Sequence, residues 1–139
     1  MKYPAILAAS TIMACMSMSA HANEPSDPAT LLNTNCLACH GSNESMDSRL
    51  APPIVAVKDH YLAQFSTKES FVDAIVQWVK KPSEDRAQMK GAVRRFGLMP
   101  MLPLSEADLK LIAEFIYDEE LDQPGWYEEH YEKEHGKEK

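Results

Sequence analysis

The sequence predicts an all-α domain of three to five helices. Three segments open with a capping residue ahead of apolar residues at helical spacing, and no segment shows the alternation or buried run that a strand requires. Cys36-Leu37-Ala38-Cys39-His40 is the one place where two of the three cysteines stand close together. On a helix, Cys36, Cys39 and His40 fall at i, i+3 and i+4, on one face of one turn. The chain has 139 residues, 45% of them apolar, with no internal repeat, which bounds it to one small domain with extensions.

Residues 1–22 have the pattern of an export signal. Lys2 supplies a short positive region, Tyr3 to Ala20 carries no charge, and Ala20-His21-Ala22 is a cleavage site of small-residue type. The other readings are an uncleaved anchor, for which the stretch is only marginally long and apolar, and lipidation at Cys15 within Ile12-Met13-Ala14-Cys15. Each places the domain outside the cytoplasm, in the periplasm or tethered to a membrane by its N-terminus. Residues 23–121 are then the folded domain and 122–139 an acidic, aromatic-containing extension.

Asp27 as N-cap and Pro28 at the first helical position start a helix over 28–39, which delivers Leu31, Leu32 and both cysteines. Gly41 and the polar run Ser42 to Ser48 form a loop, and the two prolines of Ala51-Pro52-Pro53-Ile54 rule out helix there. Ser66-Thr67-Lys68-Glu69 is a capping box with Ser66 as N-cap. Phe71, Ile75, Trp78 and Val79 form the stripe behind it, and Pro82 ends that helix after Lys80 and Lys81. A second box, Ser105 to Asp108, precedes Leu109, Ile112, Phe115 and Ile116 at helical spacing. Between the last two helices, Phe96 to Pro103 is apolar but broken by proline, so it needs something to cover.

A zinc site wants four ligands, and neither a second cysteine pair nor a linked pair of histidines accompanies Cys36 and Cys39. A dithiol redox motif belongs in an α/β pattern, which is absent here. His40 directly after Cys39 completes the attachment signature of one haem c, with Cys36 and Cys39 as thioether links and His40 as iron ligand. A thioether sulfur on the opposite side suits an electron carrier and raises its reduction potential.

With the Met-Pro loop ahead of the capped helix at Ser105, residues 27–118 resemble the class I c-type cytochromes. The resemblance implies the cytochrome c fold, helices wrapped around one covalent haem. It implies Met99, six residues before Ser105 and followed by Pro100, as the distal ligand. Met101 is a rival two residues on, with Met89, His60 or an open position as further alternatives. It also makes Pro52, twelve residues after His40, the residue whose carbonyl accepts the His40 ring N–H, although Ala51 stands where the family has glycine. Phe115 matches the aromatic with which the family's last helix crosses its first. Trp78 is a core residue, with its indole N–H reaching a haem propionate as the sharper reading.

The net charge is −7, and −8 without Lys2, so no nucleic-acid partner is expected. Residues 80–95 hold six basic residues against Glu84 and Asp85, for +4, which leaves −12 elsewhere, much of it after Ile112. That asymmetry either orients the protein toward redox partners or is a solvated surface; Arg94 and Arg95 have propionate pairing as a second role. In the extension, Trp126, Tyr127, His130 and Tyr131 suggest a short helix that docks a partner, binds a metal through His130 and His135, or packs back on the domain. The expectation is a monomer or small complex, not itself an enzyme, carrying single electrons between redox proteins. The alternatives are the electron-entry subunit of an oxidoreductase complex, or a gas-binding or peroxidatic haem protein.

Without residues 1–22 the chain has 117 residues and a limited apolar core, so the haem's apolar plate should complete it. Replacing both Cys36 and Cys39 is therefore expected to leave a largely unfolded chain with no cooperative thermal transition, measured by circular dichroism. A native-like transition would contradict this.

Overall fold

A computed structural model describes residues 27–42 and 45–136. The export signal, Cys15 and residues 137–139 lie outside the described residues. Among those described there are seven α-helices and no strand: α1 Pro28–Asn35, α2 Leu37–His40, α3 Ile54–Leu62, α4 Lys68–Lys80, α5 Lys90–Phe96, α6 Glu106–Asp118 and α7 Tyr127–His135. The all-α class stands, and the number of helices exceeds the three to five expected.

The caps account for most boundaries. Asp27 Oδ2 accepts from Thr30 N–H at 2.9 Å and from its hydroxyl at 2.7 Å, which starts α1 where Asp27-Pro28 predicts. The helix expected over 28–39 is broken at Cys36, whose N–H donates to Leu32 O while its own carbonyl accepts from Cys39 and His40 and restarts the turn as α2. At α4 the cap is Thr67 rather than Ser66. Thr67 Oγ1 accepts from Ser70 N–H at 3.2 Å, and Thr67 N–H donates to Ser70 Oγ at 3.3 Å, so the box uses a hydroxyl pair instead of Glu69. Ser105 caps α6 by accepting from Asp108 N–H at 3.0 Å.

The proline run does not exclude α3. Pro53, with extended backbone, caps it and leaves only Ile54 onward helical, as a residue without an N–H can do at a helix start. Helix α5 has no side-chain cap and a mixed sequence, so neither signal marks it.

The core is where α6 packs against both α1 and α4. Phe71, Ile75, Leu109, Ile112 and Ile116 are buried there with Leu32 of α1. Phe115 packs half-buried on the same cluster. Lys68–Asp118 and Lys80–Glu106, each at 2.6 Å, join α4 to α6 near their ends on exposed surface. A second cluster joins Val55 and Ala56 of α3 to Tyr127 of α7, with Met89, Trp126 and Tyr131 beside it. The C-terminal segment thus packs back on the domain.

Phe71 is fully buried and meets Tyr61 and Tyr117 edge-on at 6.0 and 5.3 Å. Phe71→Ala is expected to cost about 3–5 kcal/mol of stability in the holoprotein, read from denaturant unfolding followed by circular dichroism.

Candidate functional site

Helices α4, α5 and α6, the cysteine turn and the loop after α5 enclose one apolar cleft of about 1270 Å³, its open mouth included. Ile75 and Val79 of α4 and Leu109 and Ile112 of α6 line its inner wall, and Val93 and Phe96 of α5 line another side. Among the described residues, no Asp, Glu, Lys or Arg lines it. Cys36, Cys39, His40, Pro52 and Met99, which the sequence places on three separate segments, all line this cleft.

The break at Cys36 builds the cysteine turn. Cys39 N–H and His40 N–H both donate to Cys36 O, at 3.1 and 2.9 Å, so the three side chains are carried by one short helix. Cys36 is half-buried and Cys39 exposed. Burial pushes the Cys36 thiol above its ordinary pKa. The chain must leave α2 directly after His40, and a Cβ at Gly41 would stand 2.8 Å from Leu37 O, too close for any residue with a side chain unless the backbone shifts.

His40 Nδ1 lies 2.7 Å from Pro52 O. A carbonyl only accepts, so Nδ1 carries the hydrogen and Nε2 keeps its lone pair. Burial lowers the His40 pKa below its ordinary value, partly offset by this bond, which favours the neutral imidazole a metal requires. The same proline run thus holds the ring and starts α3.

On the other side, α5 ends at Gly97 with φ of +82°, a conformation that favours glycine, and the chain continues irregularly to Ser105. Met99 is half-buried on the cleft, whereas Met101 is 70% exposed and off it. Met89 also lines the cleft but packs as well against the Tyr127 cluster. His60 is off the cleft, with Nδ1 2.8 Å from Ala56 O and its ring against Tyr131 and His135. Trp78 lines the cleft. Arg94 is exposed, and Arg95 Nη2 donates to Met46 O at 2.7 Å, so neither lines it. No group of three or more His, Cys, Asp or Glu side chains that could hold a metal occurs among the described residues, so the metal reading of His130 and His135 has no support there.

Sequence reasoning passes over Arg49. Its guanidinium carbon lies 4.4 Å from the Trp126 ring centroid and 5.6 Å from that of Phe96, and its Nε is buried without a hydrogen-bond partner among the described residues. A buried donor left unpaired costs about 1–3 kcal/mol. Nothing in the polar loop before Ala51 marks it, because both rings come from segments distant in sequence.

A turn presenting two thiols and a neutral imidazole to an apolar cleft, with a methionine on the cleft wall, suits a flat, largely apolar, covalently held haem. The chain belongs to the cytochrome c family, whose model matches residues 27–118. The family carries covalently bound haem c and transfers electrons. No curated protein and no solved structure matches the chain. No helix among the described residues is long and apolar enough to cross a membrane.

Proposed function

We propose that this chain is a monohaem electron carrier of the periplasm, moving single electrons between larger redox proteins without being an enzyme itself. The observation that carries the reading is the meeting of Cys36, Cys39, His40 and Met99 on one apolar cleft, with His40 Nδ1 committed to Pro52. Bound haem supplies an iron that changes oxidation state by one electron. Cys36 and Cys39 hold the group through thioether bonds, so it survives transient opening of the fold. His40 offers Nε2 to the metal, and the Pro52 carbonyl keeps the ring from turning and strengthens it as a donor. Met99 offers its sulfur from the loop, and the apolar walls keep water from the site. The export-signal pattern of residues 1–22 supports periplasmic placement.

Lys80, Lys81, Arg86, Lys90, Arg94 and Arg95 are exposed, on a chain that is acidic elsewhere. A negatively charged face on a redox partner is the natural complement.

Met99→Ala is expected to lower the midpoint potential and to let the reduced protein bind carbon monoxide, while Met101→Ala leaves the spectrum of the holoprotein unchanged. Should Met89→Leu alone produce those changes, Met89 is the ligand. Electron transfer with an acidic partner protein is expected to slow as ionic strength rises to about 0.15 M, where the screening length shrinks to about 8 Å. Rates independent of salt would remove the steering role.

A further inference from the structure

The C-terminal segment lies beyond the matched residues 27–118, yet it is built into the domain. Tyr127 is buried against Val55 and Ala56 of α3, and its hydroxyl donates to Asp59 Oδ2 at 2.9 Å. That anchoring sets Trp126 beside the Arg49 guanidinium, 4.4 Å from ring centroid to Cζ. Arg49 directly precedes Leu50, which lines the cleft, and its other aromatic neighbour is Phe96, which also lines it.

Two guanidinium groups flank Phe96 at this rim, Arg49 at 5.6 Å and Arg95 at 5.2 Å from its centroid. Arg95 donates to Met46 O and lies 3.9 Å from Asp47, whose side chain is fully exposed. Arg49 has no comparable arrangement, and its buried Nε lacks any acceptor among the described residues. Burial first, and then Arg95, lower the Arg49 pKa below the ordinary arginine value, with Asp47 opposing them. Two like charges and an unpaired buried donor at one rim call for an anion. Among the described residues the cleft's lining includes no charged side chain, so cations at its edge are the partners at hand for the carboxylates of a haem seated there.

We propose that Arg49 is the cationic partner of a haem carboxylate, and that Trp126 of the C-terminal segment is the positioning residue that holds the guanidinium in place. The proposal rests on haem occupying the cleft. Trp126 acts through Arg49: its ring fixes the plane of the guanidinium, and with Phe96 it keeps water from competing for the Nε–H. A cation there disfavours the oxidised iron and keeps the carboxylate ionised.

Potentiometric titration of the covalently loaded protein across a range of pH tests this. Arg49→Gln is expected to lower the midpoint potential and to move the pH region where the potential varies upward, with the optical spectrum otherwise intact. Arg49→Lys, which keeps the charge but loses the planar fork, falls between it and the wild type. Trp126→Leu lowers the potential in the same direction, and the Arg49→Gln/Trp126→Leu pair goes no lower than Arg49→Gln alone. If Arg49→Gln fails to mature, Arg49→Lys and Trp126→Leu decide, and an unchanged potential and pH profile in both overturns the proposal. An unchanged potential and pH profile in Arg49→Gln overturns it as well. Additive effects in the double variant overturn the positioning role of Trp126. A wild-type protein that matures without covalent haem would instead remove the electron-carrier reading on which the proposal rests.

Discussion

The hydrogen bond from His40 to the Pro52 carbonyl is the constraint on which the site depends. It closes the loop between the cysteine turn and α3, so the imidazole and the start of α3 are fixed by one contact of 2.7 Å. Pro52 is suited to the role, since it has a carbonyl to give and no N–H that needs a partner. From Pro53 onward α3 runs past Val55, Ala56 and Asp59, the surface against which Tyr127 packs. Trp126, next to Tyr127, returns to Arg49, three residues before Pro52. The imidazole and the C-terminal segment are thus braced against the same short stretch of chain.

The cleft has the opposite character. Its inner wall consists of aliphatic side chains of α4 and α6 that continue the core outward rather than closing over it. Apolar surface of this kind is stable only when an apolar group covers it. Covalent haem, which the family carries, covers such a wall and removes water from around a metal at the same time. Stability and redox tuning therefore draw on the same side chains.

How much of this could be read from the sequence depended on how local each signal was. Asp27-Pro28 and the Ser105 box announce their helices because the cap and its partner lie three residues apart. The box at Ser66 misleads by one residue because Ser66 and Thr67 are both competent caps, and Ser70 supplies a reciprocal hydroxyl to Thr67 that a search for Glu does not find. Helix α3 is hidden by a proline run whose second member, Pro53, is its N-cap, and α5 by the want of a side-chain cap. At the site, Cys36 to His40 is legible as a contiguous motif, and the Pro52 contact through the resemblance of Ala51-Pro52-Pro53-Ile54 to the family's run. The alignment of Trp126 over Arg49 is not legible, since it exists only once α3 and α7 have met.

The packing of α1 on α6 bears on how the molecule comes into being. The two helices are separated by about 70 residues, so the loop between them must close before their shared core can form, an entropic cost that grows slowly with length. During synthesis the cysteine turn emerges long before α6 does. For that interval it belongs to a nascent chain without its main core, since α6 comes from the last quarter of the polypeptide.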